Sequence, residues 1–119
     1  MSTFHGLIIY EITDNGNLLT GRYTNTGDGS QTRPPYDIDS EIARKDPKDP
    51  YYNKGIEGAY TSRYTQTYPD PNIVTPCTLD ITKYGEVYEF VWSDSIGPFF
   101  KGIGMKVDDN HIVVSYSNP

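Results

Sequence analysis

The sequence holds little from which a disulfide framework, a histidine-based site or a long helix could be built. Among 119 residues there is one cysteine and there are two histidines. Cys77 alone excludes an intramolecular disulfide and points to a reducing compartment, so a cytoplasmic location is expected. His5 and His111 stand far apart, and no Gly-x-Ser-x-Gly element accompanies either, so no nucleophile–base–acid set is legible. Leu and Ala, among the strongest helix formers, are scarce. No apolar run approaches the ~20 residues of a membrane helix, and no basic N-terminal segment leads into an apolar one. Neither a membrane partner nor a signal peptide is therefore expected. The ten basic residues are scattered among sixteen acidic ones, with no run longer than Arg44-Lys45, and the net charge is -6. A phosphate backbone needs clustered cations, so nucleic acid is not an expected partner.

What the chain does have is aromatic and β-branched residues cut by turn formers. Eleven Tyr, four Phe and one Trp supply large apolar surfaces, while eleven Gly and nine Pro fit many turns. The segment Val87 to Tyr116 sets the pattern. Tyr88, Phe90 and Trp92 alternate along one face of a strand. After Ser93-Asp94-Ser95-Ile96-Gly97-Pro98, a second strand runs to Val107. In it Phe100, Gly102 and Gly104 face opposite to Lys101, Ile103, Met105 and Val107. After Asp108-Asp109-Asn110 a third strand aligns Ile112, Val114 and Tyr116.

The same reading extends upstream. Phe4 to Thr13 is a strand, Asp14-Asn15-Gly16-Asn17 a hairpin turn, and Leu18 to Thr26 the returning strand. Ile56 to Thr67 aligns Gly58, Tyr60, Ser62 and Tyr64, and Cys77 to Thr82 aligns Cys77, Leu79 and Ile81. The sequence around Glu11 to Leu19 echoes that around Asp80 to Tyr88, as two hairpins of one common type. Asp37 to Lys45 is the single helical candidate, with Asp39 or Ser40 as cap and Ile38 with Ile42 as an apolar pair. It lies inside a long excursion, residues 27–55, of a length that usually carries function or disorder. The count is seven strands, with an eighth expected near Pro35 or Ile73-Val74. The expected fold is a single domain over residues 1–119: an all-β, antiparallel, up-and-down barrel of seven or eight strands with one loop or short-helix excursion. Closure would leave no exposed edge.

Tyr88-Glu-Phe-Val-Trp92, Phe99-Phe-Lys-Gly-Ile-Gly104 and Ile112-Val-Val114, together with Gly16-Asn-Leu-Leu-Thr-Gly-Arg-Tyr23, resemble the avidin and streptavidin family of calycin barrels over roughly 60 residues. The segment Phe99 to Met105 is similar also to small bacterial calycin-like barrels of unassigned function. The resemblance implies a calycin-like, lipocalin-like barrel. It departs where that family opens on Gly-x-Trp and lines its biotin site with several tryptophans, since Trp92 stands alone here. The resemblance therefore implies the barrel and not biotin.

Other candidates have plainer accounts. Cys77 on an apolar strand face reads as a buried thiol. Asp37, Asp39 and Glu41 lack the glycine turn and the oxygen count of a calcium loop and read as a solvated helix start. Glu11 and Glu89 could be paired carboxylates, although strand-surface glutamates are common. No catalytic residue, metal ligand or cofactor is assigned. The site expectation rests on Tyr10, Tyr23, Tyr60, Tyr64, Trp92 and Phe100, which would line a barrel interior with apolar walls and a few hydroxyls. Core filling is the competing account of the same residues. The expected function is non-enzymatic binding of a small, partly hydrophobic ligand, with the excursion as lid. The alternative is a protein-interaction or structural module using the long loop and surface tyrosines, as a homo-oligomer.

Overall fold

The computed structural model describes residues 4–26, 38–66 and 72–119. Its eight strands are β1 (His5–Thr13), β2 (Leu18–Asn25), β3 (Asp39–Lys45), β4 (Gly58–Thr65), β5 (Val74–Tyr84), β6 (Val87–Ser93), β7 (Pro98–Asp108) and β8 (His111–Ser117). Each pairs antiparallel with the next in sequence, and β8 returns to β1, closing the barrel. This up-and-down order is the one expected, and it is consistent with a calycin-like barrel. Among the described residues no helix is long and apolar enough to cross a membrane.

Alternation explains the strands. In β1, Ile8 and Tyr10 turn inward while Leu7 and Ile9 turn outward, and β6 buries Tyr88, Phe90 and Trp92 on one face. The first hairpin turns where the sequence allows a left-handed backbone: φ is 53° at Asp14, 58° at Asn15 and 88° at Gly16. Rings then stack along the interior, Tyr10 on Phe90 and Phe90 on Trp92 at 5.8 Å, Trp92 against Tyr116 at 5.6 Å and Tyr116 against Phe100 at 5.3 Å. Gly21 makes room for this column, because a Cβ there would lie 2.7 Å from the Tyr10 ring.

The helix expected over Asp37 to Lys45 does not form. Asp39–Lys45 is the eighth strand, paired to β2 on one side and β4 on the other. Asp39, Glu41, Ala43 and Lys45 point inward, whereas Ser40, Ile42 and Arg44 point outward. The Ile38–Ile42 pair that suggested a helical face is exposed to solvent. Two neighbouring strands with open hydrogen-bonding edges outweigh the weak local preference of a two-turn helix. Asp37 and Pro35 lie outside the described residues, and Val74 simply begins β5.

Residues 46–57 are a series of turns folded across the barrel end that carries the first hairpin. Lys45 Nζ donates to the carbonyls of Tyr51 at 3.0 Å and Gly55 at 2.6 Å, and stands 5.2 Å from the centre of the Tyr60 ring. The Asn53 backbone N–H donates to Asn17 Oδ1 at 2.8 Å, and the Gly55 N–H to Asn15 O at 3.1 Å. Ile56 is buried beneath. The loop is a plug, held by backbone hydrogen bonds that a mobile lid would have to break.

Candidate functional site

The polar centre of the barrel comes from β3, the strand that the sequence hid. Glu41 is 3% exposed, and its carboxylate accepts from the Tyr10 hydroxyl at 2.8 Å, the Ser62 hydroxyl at 2.5 Å and the Trp92 indole N–H at 3.0 Å. These donors arrive from β1, β4 and β6, three different parts of the wall. Three acceptor positions of the carboxylate are thus filled by neutral groups, and roughly one of its four lone-pair sites remains. Burial pushes the Glu41 carboxyl above its usual range; the hydrogen bonds from Ser62, Tyr10 and Trp92 pull the other way and only partly offset it.

Glu41 colours its surroundings. Burial first and the Glu41 charge second push the Cys77 thiol up to about 12 and the Tyr10 hydroxyl well above its ordinary value. Asp39, buried one inward position away on the same strand, adds a second carboxyl to this half of the interior. The buried cation among the described residues, Lys45, sits at the plugged end instead. One half of the barrel is thus acidic and aromatic, and the other is closed around a lysine.

The six residues expected to line a site all lie on inward or partly buried strand positions, but they do not form one group. Tyr10 and Trp92 meet at Glu41. Tyr23, with its hydroxyl donating to Thr65 O at 2.5 Å, and half-buried Tyr64 belong to the end away from the plug. Phe100 is partly buried there too, stacked on Phe4 at 4.9 Å. Tyr60 lies at the plugged end, its hydroxyl 2.7 Å from the carbonyl oxygens of Gly16 and Ile56. Its role there is to fasten the plug.

Sequence reasoning missed Glu41 and Lys45 as interior polar groups, and it aligned Ser62 with Tyr60 and Tyr64 without giving its hydroxyl a role. It placed Asp39 and Glu41 at a solvated helix start, and the structure corrects both, since each is buried inside the barrel. The available signal was the two-residue alternation Asp39, Glu41, Ala43, Lys45, which hydropathy assigns to the outside. Glu11 and Glu89 are not paired: both face outward, and β8 and β7 separate their strands. Glu89 instead lies 3.3 Å from Lys101. His111 contacts Asp108 at 2.9 Å on the outer surface, and His5 is exposed. Comparison with protein-family models, with curated proteins and with solved structures finds no match in any of the three.

Proposed function

We propose that this barrel binds one small, partly hydrophobic molecule through the end opposite the plug and performs no chemistry on it. The observation that carries the reading is the Glu41 layer: a carboxylate inside an aromatic barrel, held by three neutral donors, below aromatics that are only half buried. A buried ionisable group costs stability that an apolar side chain of the same volume would not, and such groups concentrate where binding needs them. Tyr64, Phe99 and Phe100 offer flat surfaces for the apolar part of the ligand, and the Glu41 layer offers its polar part an acceptor. The calycin-like closed barrel fits this use by analogy. Lone Cys77 supports a cytoplasmic setting.

Binding is favoured over catalysis by what surrounds the nucleophiles. The Ser62 hydroxyl is committed to Glu41, and Cys77 is held as a thiol. Both histidines stand on outward-facing positions. A second reading, an interaction module, draws its support from the apolar outer face of β1, β7 and β8. Native mass spectrometry of gently purified protein, beside its denatured mass, tests the binding reading. A reproducible small-molecule adduct that is lost on denaturation and weakened by Tyr64→Ala is the expected result. A bare mass, with no thermal shift from a metabolite library, would overturn it.

A further inference from the structure

The outer wall of the barrel is uneven. Over β2, β3 and β4 it carries Arg22, Arg44 and Arg63 among Ser and Thr, with Ile42 between Ser40 and Arg44, so no apolar belt encircles the molecule. Across β1, β8 and β7 the outward side chains fall instead into four registered rows. The first is His5, Ser117 and Lys101; the second Leu7, Ser115 and Ile103; the third Ile9, Val113 and Met105; the fourth Glu11, His111 and Asp108. The middle rows are apolar apart from Ser115, yet Leu7 is 52% exposed, Ile9 45%, Ile103 60% and Met105 58%. A groove of about 450 Å³ borders this face on its β6 side, between Val87, Ile103 and Ser115.

We propose that this face pairs with itself in a two-fold dimer, its symmetry axis lying in the interface and perpendicular to the strands. The charges choose that axis. It sets Lys101 against Asp108 of the second copy and His5 against Glu11, with Leu7 over Ile9 and Ile103 over Met105. An axis parallel to the strands would set Glu11 against Asp108 instead, acid on acid. An isologous contact needs such self-complementarity. Four rows at a repeat of about 6.8 Å and three strands at about 4.8 Å make roughly 400 Å² in plan. Side-chain relief and flanking Val87 and Glu89 bring this to roughly 600 Å² per protomer, at the lower bound of specific interfaces. The dimer is accordingly concentration-dependent.

Sedimentation velocity between about 5 and about 500 µM tests it. The wild type should pass from monomer to dimer, and Ile103→Asp should weaken association at least tenfold. Asp108→Lys should weaken it by placing two cations together, and Lys101→Asp with Asp108→Lys should restore it. Circular dichroism confirms that each variant is folded. A wild type monomeric throughout, association untouched by Ile103→Asp, or a double variant no better than Asp108→Lys overturns the proposal. So does a monomer that co-sediments with phosphatidylcholine vesicles through Ile103, which would make a bilayer the occupant. The ligand at the barrel end is independent of these outcomes, because none of these side chains faces the interior.

Discussion

Replacing Glu41 by alanine removes the common acceptor of three buried donors. Tyr10, Ser62 and Trp92 are 0%, 0% and 3% exposed, so none can turn to bulk water. Each orphaned donor costs about 1–3 kcal/mol, and the deleted carboxymethyl volume adds about 1 kcal/mol for the hole. Two effects oppose this. A water in the hole can accept two of the three bonds, and the desolvation cost of the carboxylate disappears. The net expectation is a loss of about 2–4 kcal/mol, which lowers the melting temperature of a chain this size by roughly 10 °C. Glu41→Gln separates the acceptor from the charge. Its amide oxygen can take Ser62 and Trp92 while its NH₂ donates to the Tyr10 oxygen, so the change stays within about 1 kcal/mol. Urea unfolding followed by the fluorescence of Trp92, the single tryptophan, measures both variants. Equal stabilities for the alanine and glutamine variants would refute the argument, because the acceptor would then hold nothing.

Other consequences are as direct. Native Cys77 should react with iodoacetamide at pH 8 far more slowly than the urea-unfolded chain, since burial and the Glu41 charge hold its thiol up to about 12; equal rates would place the thiol outside the barrel. Gly21→Ala would drive a methyl to 2.7 Å from the Tyr10 ring, on a neighbouring strand that has no room to yield. It should cost about 1–3 kcal/mol in thermal unfolding, and an unchanged melting curve would contradict the packing. Lys45→Met keeps the stem and removes two charge-assisted bonds to Tyr51 and Gly55. Amide exchange should then rise across 46–57 ahead of the strands, whereas uniform exchange would show that the lysine does not fasten the plug.

The meander was legible because β6, β7 and β8 alternate and their turns are written in Asp, Asn, Gly and Pro. The first hairpin was legible for the same reason, through Asn15-Gly16. Closure followed from seven strands in sequence with few long gaps. β3 was not legible. Its inward side chains are Asp39, Glu41, Ala43 and Lys45, so the usual equation of apolar with inside runs backwards there. Ile42, its most apolar residue, is 43% exposed. Inward polarity becomes intelligible only when the opposite wall is known, since Tyr10, Ser62 and Trp92 reach Glu41 from strands 21 to 51 residues away. An apolar outer face also marks β7, where Ile103 and Met105 face outward while Gly102 and Gly104, which alternation had already set opposite them, face in and make room for Phe90 and Val114. Tyr10, Tyr23, Tyr60 and Trp92 were legible as interior residues by alternation. Their division between a plugged end and an acidic, aromatic half was not, because it depends on where residues 46–57 fold back.

Glu41 is a carboxyl buried inside the barrel, and its titration tests that burial most directly. The Glu41 side-chain carboxyl carbon, assigned by comparison with Glu41→Gln, can be followed by ¹³C NMR as pH rises. A carboxyl whose folded value is raised contributes stability that is present below its ordinary, unfolded value and lost as pH rises through the folded one. The stability difference between wild type and Glu41→Gln should therefore fall between the usual 4.5 and the midpoint of the carbon's titration, and that midpoint should lie above 4.5. A midpoint at the usual 4.5, with no fall in the difference, would place Glu41 in solvent and remove the site.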